Sequence, residues 1–144
     1  MNNLEVIVSL SDNKISEAEC LFINGFYDSV YNMAGYSVEL LLKARISKTL
    51  NIDNFFDFGN RDKFINEDSI LKPYKVHNYE QLFVLSGIYN EYVQILNDAE
   101  FFYNWSTIRK WKEDVRYLSG KNEQTVSDFI NCVKYFSTWI KLYL

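Results

Sequence analysis

The sequence predicts an all-α fold, a bundle of helices joined by a few loops, and two observations carry that expectation. Only five glycines and one proline interrupt 144 residues, too little punctuation for a many-turned sheet protein. Apolar residues instead return at three- and four-residue steps over most of the chain, the spacing that lines one face of a helix. With 48% hydrophobic and 17% aromatic residues, the chain can bury a sizeable core as a single domain, 1–144.

Residues 4–10, LEVIVSL, are β-branched and fit either a short strand or the lead-in to a helix. Ser11 or Asp12 offers an N-cap for a first helix of about twelve residues, stopped at Asn24-Gly25, where glycine can adopt the left-handed conformation of a helix end. The second helix, from about 26 to 50, is the clearest element: Tyr27, Val30, Tyr31, Ala34, Val38, Leu41, Leu42 and Ile46 draw one stripe. Gly35 costs roughly 1 kcal/mol relative to alanine inside a helix, so its presence predicts a neighbouring helix backbone passing close. Glu39 and Lys43 stand i,i+4 with the acid first, the favourable orientation for a pair on one face.

Residues 51–76 read as a long loop with a short helix near 61–66, a candidate for partner contacts or for closing over the bundle. Asn78 is placed to cap a third helix over 79–86, closed by Gly87. A fourth is predicted over 88–103, with Tyr92, Ile95, Leu96, Ala99 and Phe102 inward. The amphipathic stretch 105–117 is helical behind a Ser106 cap and ends at Ser119-Gly120. The last helix, from about 122, buries Val126, Phe129, Ile130, Val133, Phe136 and Ile140.

Charge narrows the function classes. A net charge of −4 and a pI of about 5.0 are the opposite of the footprint of a domain that holds a phosphate backbone by charge alone. The one dense basic run, Arg109-Lys110-Trp111-Lys112, is expected to be a solvated helix face. The eleven Tyr and eleven Phe are expected to serve core and dimer packing rather than base stacking. Cys20 and Cys132 stand far apart among apolar neighbours and are expected to be buried free thiols; no spacing suggests a metal site, and no cofactor is expected. Without a cleavable leader pattern or an apolar run of about 18 residues, the expected location is the cytoplasm, with no membrane contact.

Catalytic material is sparse. There is no Gly-rich phosphate loop, no GxSxG and no HExxH, and histidine occurs once. His77 sits where a loop meets a helix and is expected to cap or pack. The neighbouring carboxylates Glu67-Asp68 and Glu113-Asp114 would point apart on a helix, so neither makes an acid/base dyad. Arg116, just before the Ser119-Gly120 turn, can reach Glu39, a partner subunit or a bound phosphate. The expected tie is to Glu39, which leaves Lys43 pointing elsewhere.

The stretch FYDSVYNMAGYSVELLLKARI, then KVHNYEQLF after a variable loop, then W111KEDVRY117, resembles the HEPN domains, with the likeness spanning roughly 14–142. The resemblance implies an up-and-down bundle of four long helices with a short extra one, paired as a two-fold dimer. It also implies a family in which many members are metal-independent endoribonucleases, acting as toxins or phage-defence effectors beside a nucleotidyltransferase-like partner. Their active site is an Arg, a polar residue and, after four to six intervening positions, a His. Arg116 stands where that Arg would, but Tyr117 replaces the polar neighbour, and the positions where His is due read Lys121, Asn122 and Glu123. Proton transfer from an RNA 2′-hydroxyl needs a group that changes protonation near neutral pH, and Asn122 does not. The expectation is therefore a non-catalytic binding or interaction module, with Arg116, Glu39, Lys43 and His77 as candidate binding residues and a nucleotide or RNA in a dimer cleft as candidate ligand. One alternative is a divergent ribonuclease in which Arg116 stabilises the phosphorane while Tyr117 or Lys121 assists, and a third reading is a purely structural dimer with no ligand.

Overall fold

The computed structural model describes residues 3–57 and 68–144, and every regular element among them is helical. Helix α1 (Asn3–Ile23) turns at Gly25 into α2 (Tyr27–Leu50). A short α3 (Asp68–Leu71) and a 3-10 turn (Lys72–Tyr74) lead to α4 (Tyr79–Leu85), α5 (Tyr89–Ile95) and α6 (Ala99–Ile108). A second 3-10 turn (Glu113–Tyr117) then precedes α7 (Glu123–Lys141). No helix among the described residues is long and apolar enough to cross a membrane. The short helix expected near 61–66 and the pair Glu67-Asp68 lie outside the described residues and side chains.

Helix α1 runs through the predicted Ser11 cap without a break. Ser11 is fully buried and donates its hydroxyl to the Ser37 carbonyl of α2 at 2.9 Å, so its polarity serves the contact between two helices rather than a helix end. The β-branched run Val6-Ile7-Val8 is helical because Ile7, Ser11 and Ala18 form the face that α1 buries, and tertiary burial outweighs the few tenths of a kcal/mol by which β-branching disfavours a helix. Cys20 falls on the opposite face and is exposed, whereas Cys132 is buried as expected. At the turn, Gly25 takes φ +80° while the Phe26 N–H donates to the Leu21 carbonyl at 3.0 Å, the closure that lets α2 fold back antiparallel to α1.

Helix α2 is buried on several faces, with twelve buried residues between Val30 and Ser47, because α1, α4, α7 and the second 3-10 turn all pack on it. Helix α7 runs parallel to α2: Tyr31 packs on Phe129 near one end, and Lys48 donates to the Leu144 carbonyl at the other. It runs antiparallel to α1, through the ion pairs Asp12–Lys141 and Glu19–Lys134. Helix α6 is antiparallel to α7, with Phe101 against Trp139 and Trp105 against Phe136. All six α7 residues predicted to face inward are buried.

The predicted helix over 88–103 is two helices. Asp98 accepts from the Phe101 N–H at 2.8 Å and restarts the chain as α6, which carries on through Ser106 to Ile108. The new start moves the inward register by one residue: Phe101 is buried, while Phe102 is 55% exposed and Ala99 lies on the surface. Beyond α6 the chain leaves the helical path, and Trp111, assigned from sequence to a solvated helix face, is buried.

Candidate functional site: two cavities beside a 3-10 turn

Gly35 positions everything around the second 3-10 turn. A Cβ at this position would overlap the indole of Trp111, so what passes close is an aromatic side chain and not the helix backbone that the sequence suggested. Trp111 stacks on Tyr79 at 5.4 Å between ring centres and 13° between planes, a geometry worth about 1 kcal/mol beyond burial. The Tyr79 hydroxyl donates to the Gly35 carbonyl at 2.7 Å. Burial first, then the charge of Glu39 and the neighbouring Tyr31, push the Tyr79 hydroxyl well above the usual tyrosine range, so it remains a donor. These contacts pin the chain at 111, immediately before Glu113–Tyr117.

Glu39 is 4% exposed in α2 and has two side-chain partners. Lys43 donates to it at 2.6 Å, and His77 Nδ1 lies 2.9 and 3.0 Å from its two oxygens. Lys43 thus points at Glu39, contrary to the expectation that Arg116 would take its place, and the pair is an interior one rather than surface decoration. The Arg116 side chain lies outside the described residues. His77 does not cap α4; that is the work of Asn78, which accepts from the Gln81 N–H at 3.0 Å. The imidazole instead bridges carboxylates, with Nε2 3.4 Å from Glu113.

Two cavities flank this arrangement and share Lys112. The first, about 440 Å³, is lined by His77, Asn78, Tyr79, Glu80, Arg109, Trp111, Lys112 and Glu113. Here the carboxylates have partners: His77 lies between Glu39 and Glu113, and Arg109 lies 3.3 Å from Glu80. Glu80 also accepts from Tyr92, whose hydroxyl is pushed up to about 12, by burial first and then by the hydrogen bond to Glu80.

The second cavity, about 460 Å³, is lined by Tyr31, Thr107, Lys110, Lys112, Asp114, Val115, Leu118, Lys121, Thr125 and Phe129. Lys110, Lys112 and Lys121 have no carboxylate partner among the described residues, whereas Lys14, Lys43, Lys134 and Lys141 are all ion-paired. Lys121 Nζ sits 4.4 Å over the Tyr31 ring, and its backbone N–H donates to Asp28 at 2.8 Å, which fixes the turn before α7. Asn122 is the N-cap of α7, accepting from the Thr125 N–H at 2.9 Å. Tyr117 is 77% exposed at the end of the 3-10 turn. Three ammonium groups, two threonine hydroxyls and an apolar wall can hold an anion with an apolar portion. Among the described residues no cluster of three or more His, Cys, Asp or Glu could ligate a metal.

Of the sequence candidates, Glu39, Lys43 and His77 come together in one cluster, while Lys121 belongs to the other cavity. Sequence reasoning missed Lys110, Lys112 and Glu113. Its one available signal was the basic run at 109–112, interrupted by a tryptophan that a solvated face would not need. No family model matches this chain, and comparisons with curated proteins and with solved structures return no match.

Proposed function

We propose that this protein is a non-catalytic binding module of HEPN type, a homodimer that takes an anionic nucleotide or RNA ligand at the lysine-lined cavity. In this reading α1, α2, α6 and α7 are the four long helices of an up-and-down bundle, with α4 the short extra one; their pairwise directions support it. The biological setting proposed is a toxin–antitoxin or phage-defence pair with a nucleotidyltransferase-like partner.

One observation carries the proposal: three lysines with no carboxylate partner among the described residues converge on one cavity of an acidic protein, beside the turn that holds Arg116. A second supports the non-catalytic reading. The only histidine is engaged by Glu39 and Glu113 and does not line that cavity, and Asn122, where a general base is due, caps a helix.

Incubating the purified protein with tRNA and mRNA, beside an Arg116→Ala variant, tests it. Intact RNA with both proteins is expected, together with saturable binding of ATP or a short RNA that weakens in Lys110→Ala. Cleavage that vanishes with Arg116→Ala would establish the ribonuclease alternative, with Tyr117 and Lys121 as the next positions to substitute. Light scattering is expected to give twice the 17.1 kDa chain mass.

A further inference from the structure

We infer that Lys121 is a displaceable cap on the Tyr31 ring: its ammonium covers the ring face in the free protein and moves onto an anion that enters the lysine-lined cavity, which opens the ring to a flat aromatic group on the same ligand. Such a cap rests on the function proposed above, because only an anion in that cavity draws the ammonium away. It also gives the ligand a chemical class, a phosphate joined to an aromatic group.

The backbone around Lys121 is fixed, so the moving part is the side chain alone. The Lys121 N–H donates to Asp28 at 2.8 Å, the Gly120 N–H donates to the same carboxylate at 3.3 Å, and Asn122 caps α7 one residue later. From that anchor a flexible four-carbon stem carries the ammonium to 4.4 Å from the centre of the Tyr31 ring. Tyr31 packs on Phe129 at 4.3 Å between ring centres and is only 7% exposed. Lys121 and both rings line the cavity, so the covered face adjoins the space a ligand fills.

The ring is a weak holder of the charge. An ammonium over an aromatic face at a partly exposed site gains about two- to fivefold in equilibrium terms, and the ring takes none of its three N–H groups as a full hydrogen-bond acceptor would. Lys110 and Lys112 line the same cavity, and like charges gathered there repel one another until an anion arrives. A phosphate offers charge-assisted hydrogen bonds, about twice as strong as neutral ones. Asp114 also lines the cavity, yet Lys121 engages the ring and no carboxylate among the described residues, so no ion pair has to break first.

Once uncovered, the Tyr31 face continues the apolar wall of Val115, Leu118 and Phe129. An aromatic group there replaces the contact that the ammonium gave up, whereas an inorganic anion leaves the ring bare. Lys121 thereby couples the capture of a phosphate to the recognition of what the phosphate carries.

NMR of the isotope-labelled full chain reads the position of the cap directly. In the free protein the Lys121 ε-methylene protons are expected upfield of those of exposed lysines, shielded by the Tyr31 ring, and saturating inorganic pyrophosphate should return them towards the exposed-lysine position. Pyrophosphate that binds while the upfield shift stays unchanged overturns the cap and leaves the ligand site standing; pyrophosphate that does not bind overturns the ligand site and the cap together. Phenyl phosphate is expected to bind about two- to tenfold more tightly than methyl phosphate, its equal in charge. Equal affinities overturn the opening of the ring. Lys121→Met keeps the ring covered by a side chain that no anion attracts, so both esters should bind more weakly and the phenyl preference should disappear; a preference undiminished in Lys121→Met overturns the assignment to Lys121.

Discussion

The two cavities on either side of Lys112 are nearly equal in volume and opposite in electrostatics. In the first, each carboxylate has a partner: Glu39 has Lys43 and His77, Glu113 has His77, Glu80 has Arg109, and only the shared Lys112 is without a carboxylate among the described residues. In the second, three lysines share a wall with one aspartate. Matched charges hold the chain in place, whereas clustered like charges repel one another and create a local field that attracts an anion. In the proposed function the second cavity is the one that takes the ligand, and the first, although it holds the only histidine, is structural.

That contrast sets an order of expected effects. Gly35→Ala should be the most damaging change, since the new methyl meets the indole of Trp111 where both are buried; a loss of about 3 kcal/mol is expected in urea denaturation, well beyond the helix propensity gained. Near-wild-type stability would show that Trp111 is not held in the Gly35 notch. Glu39→Ala should follow at about 2 kcal/mol, the cost of leaving Lys43 and His77 without their buried partner, reduced because His77 is partly exposed. A loss under about 0.5 kcal/mol, the size typical of surface changes, would place Glu39 among the decorative charges.

Tyr79→Phe removes the hydrogen bond to the Gly35 carbonyl at about 1 kcal/mol and also changes the alkaline limb. The Tyr79 and Tyr92 hydroxyls are both raised above the ordinary value near 10, so the unfolded chain loses these protons first. Stability is accordingly complete below about pH 10 and falls as pH rises above it, and Tyr79→Phe should make that fall shallower by one proton. An unchanged slope in the variant would refute the assignment. The smallest stability effects are expected at Lys110→Ala and Lys112→Ala, within about 0.5 kcal/mol of wild type. The same variants should weaken pyrophosphate or ATP binding about tenfold each, which is what separates a binding lysine from a structural one.

Local signals in the chain anticipated a good part of this architecture. The Asn78 cap, the stop at Gly25, the start of α7 near 122 and its apolar stripe all act within a turn or two of themselves, so i to i+3 chemistry is enough to recognise them. Asp98 carried the same kind of signal but sat inside a run of apolar residues whose spacing imitated one uninterrupted helix. Ser11 misled in the opposite way, its capping chemistry being used by a carbonyl 26 residues away. The site was less accessible from sequence: Glu39–Lys43 was visible as an i,i+4 pair, but the partner that tells its role, His77, is 38 residues on.

By itself the sequence determined that the chain is helical, where several helices begin and end, and which face of α7 is buried, because each depends on backbone groups and side chains a few residues apart. Only the tertiary structure decided that Gly35 receives a tryptophan, that the lone histidine is consumed by two carboxylates, and that Tyr31 and Phe129 wall the cavity that Lys110, Lys112 and Lys121 line. Those outcomes depend on which helix faces meet, and two residues dozens of positions apart carry no local mark of being neighbours until packing brings them together.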